Sequence, residues 1–524
     1  MAIPGISLPG LNLGSGPTAT IDIAPLPIQT RIQALKPNTE YRFECSFTLP
    51  LKIRLISGTA ELFGTELAPN VTFTFTGTKA AIFTWHGCSL QIEGNPESEY
   101  VAEETEMIVW ANLHFGLDNM RGNGQGPRVC LVGPENVGKT SLLRTLTGYA
   151  INGGRQPIVV NLDPRQGLLS VPGSLTATAF ATQLDVEEGW GSSPFSGPST
   201  VPIKMPLVYH YGMENPEDHP KLFKPLVTRL ALAVTSRMEE DKDLKESGCF
   251  IDTSGAISSG RGGQYDIIQH IVSEFSGAWL YISVIHESRL YAFAIPYVHN
   301  PILNPSSIHK IIGKMNKQLT PFFLVNVLLV VGSERLYSDL SQRYSSQTGD
   351  EAVAVVKLSR SSGCVDKDKT YMQKLLQQQV RQYFFGREPS PLTPYTQNLD
   401  FNQLSIFKVI DTSIEPSTTD FLPGDADDDE DYDPSTLATS SSKPIYEYIM
   451  PSPAMNNSLL AVTHVEATTS QEDIRDASVL GYVYVADVDE TKKKVRCLAP
   501  VSGQMPRKAI VWGTWPEGVG ELAG

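Results

Sequence analysis

The sequence predicts an α/β protein. A central parallel sheet of the P-loop NTPase type, with helices on both faces, is flanked by an N-terminal β-sandwich and a small C-terminal mainly-β domain. Three observations carry that prediction. Arg128 to Ser141 reads as a buried strand, a glycine-rich turn and the first turn of a helix. From about Gly122 to Gly386 apolar strand runs alternate with stretches of helical spacing, as parallel strands joined by crossover helices require. On either side of that region apolar residues recur at every second position, the period of half-buried strands.

The turn at the centre, Gly133-Pro-Glu-Asn-Val-Gly-Lys-Thr140, satisfies G-x-x-x-x-G-K-[ST]. Its glycines let the backbone curl until several N–H groups face one point at a helix N-terminus, a nest for phosphate oxygens. Lys139 sets a cation on the terminal phosphates, and the Thr140 hydroxyl completes a Mg²⁺ shell. Gly133, Pro134, Glu135, Asn136, Val137, Gly138, Lys139, Thr140 and Ser141 form the expected nucleotide cradle. Val129 to Val132 supplies the preceding strand, and Leu142, Leu143, Leu146 and Ala150 the following helix.

Taken in order, residues 1–28 are rich in glycine and proline and read as a flexible leader. In 29–118, Tyr41, Phe43, Cys45 and Phe47 alternate with polar residues, as do Leu51, Ile53 and Leu55, then Val71, Phe73 and Phe75. Short strands of this kind with glycine turns predict an antiparallel sandwich. The central domain, 119–386, adds the strands Pro157–Asp163 and Cys249–Asp252, each ending in an acid. Ligands bind beyond the carboxyl ends of such strands, so Asp163, Asp252 and the phosphate loop share one edge. Either acid could hold Mg²⁺ or take a proton from a substrate hydroxyl. The metal set is assigned to Thr140 and Asp163, with Asp163 also the catalytic residue if the site is active.

Leu324–Val331 and Ala352–Val356 read as further buried strands, and Met372–Phe385 as a helix stopped by Gly386. Asn316-Lys-Gln-Leu319 fails the base-reading pattern of GTPases at its last position, which disfavours GTP. The C-terminal unit, 387–524, opens on a proline-rich linker, and Val483–Val488 faces Lys494–Leu498 as a hairpin. Its acidic run Asp425–Asp433, inside 420–443, reads as a solvated, disordered loop.

Bulk properties narrow the classes of function. At 524 residues the chain exceeds a single core, and a net charge of −15 argues against a broad surface that tracks nucleic-acid phosphates. Six scattered cysteines with no C-x-x-C pair read as buried hydrophobes in a reducing compartment. No apolar run is long enough to span a bilayer, and the N-terminus lacks a basic region, so a soluble intracellular protein with no membrane partner is expected.

With these pieces placed, the chain resembles the CLP-type subunits of the pre-mRNA cleavage and polyadenylation machinery, within the polynucleotide 5′-hydroxyl kinase family. The resemblance rests on Ser57–Leu67, Phe83–Cys88, the phosphate loop with Gly126-Pro-Arg-Val before it, Asn161–Gln166, Ser247–Cys249, Arg381–Gly386 and Leu498–Val501. It implies three domains, nuclear location, a role in forming messenger 3′ ends, and partnership with the scaffold subunit of cleavage factor IA and other 3′-end processing proteins, with RNA contacted indirectly. It also implies ATP gripped between the first two domains, with Glu40 and Lys79 matching the first-domain positions that reach the base. Active members pair an Asp with a Gln, as Asp163 and Gln166 do here. They also carry a T-x-G-W clasp and an arginine-rich lid helix. Here Thr253 and Gly255 are followed by Ala256, and the helix 375–382 holds one arginine, Arg381. Base stacking on the missing Trp is worth roughly 1–3 kcal/mol, and lid arginines about 10³–10⁵ in rate. The expected function is an ATP-binding structural subunit, with an active ATP-dependent RNA 5′-kinase as the alternative. Residues 277–323 have no counterpart in the family and read as a surface excursion or a retained intron, which peptides across both junctions would decide.

Overall fold

The computed structural model describes residues 30–121, 124–191, 206–260, 265–276, 279–286, 289–296, 326–346, 353–387, 390–410, 444–517, 519, 520 and 522. The leader, the acidic run, Asn316–Leu319 and most of 277–323 lie outside them. Within 277–323, Trp279–His286 and Arg289–Pro296 form an antiparallel hairpin.

The N-terminal unit is a sandwich of two antiparallel sheets, one of four strands and one of five. Its core is built from the alternating residues, with Leu51, Ile53, Leu55, Ile82, Leu90 and Ile92 all fully buried. The strand Leu51–Gly58 keeps the expected alternation, but Thr39–Glu44 is buried on both faces. A strand loses its solvent face only when something covers it. Here the lid segment that precedes the helix Lys369–Phe385 does so in part, with Ser362 accepting from Arg42.

The central sheet has seven strands, in the order Leu207–His210, Ser174–Ala179, Ile158–Leu162, Cys249–Thr253, Arg128–Val132, Val327–Val331, Ala354–Leu358. The last five are parallel. Arg128–Val132, Ile158–Leu162, Cys249–Thr253 and Val327–Val331 are buried throughout, which explains their unbroken apolar runs. The strands expected at Leu324–Val331 and Ala352–Val356 start later, at Val327 and Ala354. The first two strands in the order are antiparallel and were not foreseen. Ser-Leu-Thr-Ala-Thr-Ala, at 174–179, alternates small polar with apolar groups too weakly to stand out.

The C-terminal strands form a seven-stranded sheet with one parallel pair, Ser405–Val409 beside Ala509–Trp512. The hairpin expected around 483–498 is present, as Val479–Asp489 against Lys494–Ala499. One face of this sheet does not make a core of its own. Tyr446, Leu459, Ala461, Tyr482 and Tyr484 join a cluster continuous with Tyr209, Leu226 and Ile268 of the central unit. Among the described residues, no helix is long and apolar enough to cross a membrane.

Candidate functional site

The phosphate loop leaves the strand at Gly133, whose φ is +151° and where an added Cβ would lie 2.3 Å from the Val331 carbonyl oxygen. Only glycine fits there. Gly138, at φ +91°, turns the chain into the helix Lys139–Asn152. Lys139 is buried, and its amine donates to the carbonyls of Gly133 at 2.8 Å and Pro134 at 2.7 Å. Burial pushes its pKa down, while Asp252, Asp163 and Glu135 pull it back up.

Two carboxylates stand at the ends of neighbouring parallel strands. Asp252 Oδ2 accepts from the Thr140 hydroxyl at 2.8 Å. Asp163 instead accepts from the Gln166 amide at 3.1 Å and from the Arg165 backbone at 3.2 Å. Burial raises both acids, Asp252 to about 6, with Lys139 opposing the shift. A divalent cation would reverse that cost. Mg²⁺ asks for one or two carboxylates beside substrate phosphates, and Thr140 with Asp252 fits that donor set. Asp252, and not Asp163, accepts from the Thr140 hydroxyl, whereas the metal set read from the sequence pairs Thr140 with Asp163.

Above the loop is a cavity of about 210 Å³. Glu135, Asn136, Val137, Gly138, Lys139, Thr140, Ser141 and Asp163 line it, and so do Glu40 and Lys79 from the sandwich. Gly133 lies beneath it, holding Lys139, and Pro134 faces a second hollow. Glu40 is 5 % exposed, too buried to be an ordinary surface charge, and accepts from Arg42 at 2.7 Å and from Thr105. Lys79 pairs with Glu44 at 2.6 Å and sits 5.0 Å from the ring centre of Tyr371, on the lid helix.

Lys367 was not singled out from the sequence. It enters the cavity from the lid segment, and among the described residues its amine makes no hydrogen bond. Burial lowers its pKa, Asp163 and Asp252 oppose that, and Lys79 adds to it. A lone lysine in Gly-Cys-Val-Asp-Lys-Asp carries no periodic signal, so only the fold reveals it. Cys364 also departs from expectation: it is half-buried against Gly138, where an added Cβ would meet its sulfur at 3.0 Å.

The second hollow, about 420 Å³, shares Glu135 and Gly255 with the first. Glu135, Glu217, Asp218, Gly255 and Ala256 line it, and among the described residues of its wall there is no aromatic ring. Gly255 is pressed on the phosphate loop, since an added Cβ would stand 2.6 Å from the Glu135 nitrogen. Arg165 bridges Glu135 and Glu214 beside it.

Three family models match in sequence order. Residues 34–123 match the N-terminal β-sandwich domain of polyadenylation factor, 133–295 the mRNA cleavage and polyadenylation factor CLP1 P-loop, and 392–517 the pre-mRNA cleavage complex II protein Clp1. The mRNA cleavage and polyadenylation factor CLP1 of Phaeosphaeria nodorum is 50% identical over 99% of this chain and 100% of its own length. The chain belongs to the Clp1 family. Its role accordingly lies in mRNA cleavage and polyadenylation. The clp1 factor of Botryotinia fuckeliana, another member, is 45% identical over 99% of this chain and 100% of its own. The solved wild-type Clp1p–Pcf11p complex shares the fold, with a TM-score of 0.73 at 24% identity, covering 93% of this chain and 98% of that one. A second Clp1p structure, concerning an extended Pcf11p interface and ATP loss in a glycine-to-arginine mutant, matches at a TM-score of 0.70.

Proposed function

We propose that this chain is the nuclear ATP-holding subunit of the pre-mRNA cleavage complex, with ATP and Mg²⁺ serving as a structural clamp that is not spent. One observation carries the reading. The cavity over the phosphate loop is walled by three separate parts of the chain: the loop, the sandwich strands and the lid segment. A triphosphate bound there touches all three, so its binding energy stabilises their closed arrangement. Lys139 and Lys367 meet its phosphates, Thr140 and Asp252 hold the metal, and Glu40 and Lys79 face the base.

The acceptor side supports a clamp over a kinase. An RNA end entering through the second hollow would meet Glu135, Glu217 and Asp218, and among the described residues lining it there is no ring on which to stack. Among the polar side chains of the lid that reach the cavity is one lysine, Lys367, where efficient phosphoryl transfer calls for arginines. The closed form is the one offered to a Pcf11-type scaffold subunit, the partner that the solved Clp1p carries. The active RNA 5′-kinase remains the second reading, because Asp163, Gln166, Thr140 and Lys139 are assembled within one edge of the sheet.

The test has two parts. Protein purified without added nucleotide is expected to release unhydrolysed ATP on denaturation. In an assay with labelled ATP and 5′-hydroxyl RNA it is expected to transfer nothing. Label transfer abolished by Lys139→Ala would establish the kinase in place of the clamp.

A further inference from the structure

One arginine connects the two ends of the nucleotide cavity. The phosphate loop fixes where phosphates lie, so a base attached to them reaches the sandwich wall, among Glu40, Phe43, Tyr100 and Trp110. Of the two Glu40 oxygens there, one accepts from the Thr105 hydroxyl and the other from Arg42 Nε at 2.7 Å. A carboxylate offers about four lone-pair sites, so capacity is left for an amino hydrogen of a base. The remaining nitrogens of Arg42 reach three partners, one of them the Tyr100 hydroxyl on the neighbouring sandwich strand, which Nη1 meets at 3.4 Å. Nη2 donates to the Glu104 carbonyl at 2.8 Å, and Nη1 to the Ser362 hydroxyl at 3.1 Å. Ser362 belongs to the lid segment that carries Cys364 and Lys367 to the phosphate loop. Its neighbour Gly363 lies flat on the guanidinium, where an added Cβ would stand 2.7 Å from Nε.

We propose that Arg42 is a positioning residue that couples base identity to lid closure. A base that donates an amino hydrogen to Glu40 holds the carboxylate where it orients Arg42, and Arg42 then pins Ser362 and brings Lys367 to the phosphates. A base presenting a carbonyl oxygen at the same place repels Glu40. Arg42 then loses one of its partners, and with it the orientation that tethers the lid segment through Ser362. The coupling rests on the ATP reading of the cavity and adds to it a reason why the base, and not the phosphates alone, controls closure.

ATP and inosine triphosphate carry an amine and a carbonyl at the same ring carbon, and so they serve as probes. Ser362 is exposed, so Ser362→Ala leaves the fold intact while removing the tether. Breaking a hydrogen bond to a charged group should weaken ATP about tenfold and speed its dissociation, with inosine triphosphate changed less than about twofold. Gly363→Ala, which displaces the guanidinium without removing a donor or acceptor, should act in the same direction. Calorimetry and stopped-flow release with both nucleotides read the result as a cycle. Equal factors for the two nucleotides, or wild-type ATP affinity in both variants, would overturn the coupling while leaving the clamp standing. A wild-type protein that binds neither nucleotide would overturn the ATP reading and the coupling together.

Discussion

On the proposed ATP reading, the two ends of the cavity, one for phosphates and one for the base, are built in opposite ways. At the phosphate end, residues adjacent in sequence do the work: the loop 133–141 curls on two glycines, and backbone groups make the nest. At the base end, Glu40, Lys79 and Tyr100 come from separate strands of another domain, and the lid residues from the far side of the central sheet. The phosphate end is a property of a short peptide. The base end exists only when three parts of the chain have folded against each other. Damage at the first should cost affinity, and closure with it, while leaving each domain folded and base selectivity intact, whereas damage at the second should also change selectivity.

Lys139→Ala should separate the two ends most sharply. Removing a buried charge partner for the phosphates is expected to lower ATP affinity by about 100-fold or more, with the circular dichroism spectrum unchanged. Asp252→Asn comes next. In Mg²⁺ it should weaken ATP by about tenfold, and in EDTA by little, since its carboxylate acts through the cation. Equal losses in both conditions would remove Asp252 from the metal set. Lys367→Ala is expected to weaken ATP by about fivefold and ADP by less, because a lid cation at the terminal phosphate has nothing to hold in the diphosphate. A larger loss for ADP than for ATP would place Lys367 elsewhere.

The smallest effect tests the joint between the two ends. Glu61, in the sandwich, accepts from the Tyr149 hydroxyl on the phosphate-loop helix, and burial raises its pKa from 4.5 to about 7. The folded state thus holds a proton that the unfolded chain gives up near pH 4.5. The stability this contributes is complete below that pH and is lost as pH rises through about 7. Glu61→Gln, which cannot ionise, should therefore raise Tm by a few degrees at pH 8 and leave it unchanged at pH 4. A gain of equal size at both pH values would mean that the carboxyl is not the titrating group.

What could be read from the sequence follows the same division. The phosphate loop, the two acids at strand ends and the helix stopping at Gly386 announce themselves because their physics is local: positive φ, strand ends, caps. The resemblance implied that Glu40 and Lys79 reach the base of ATP; both line the cavity, yet nothing in their own neighbourhoods marks them. Arg42 and Lys367 were missed for that reason. Each is a single cation, and the contact that matters crosses between domains: Arg42 reaches Ser362, and Lys367 lies near Lys79 as well as Asp163. The strand Thr39–Glu44 held a clue, since Arg42 faces away from the apolar positions in a strand that is nonetheless buried on both sides. Burial is invisible in a sequence, so the clue needed the fold. The edge strands Ser174–Ala179 and Leu207–His210 were missed because small and mixed residues give no strong period.

The shared core beneath the C-terminal sheet has a consequence for the gene. Tyr482 and Tyr484 roof the same apolar mass that Tyr209 and Leu226 floor. A message stopped before Val479 would therefore yield neither a shortened but sound ATP-holder nor a missing appendage. It would leave the middle third with its greasy underside open to chaperones and proteases, so late nonsense alleles should behave as nulls.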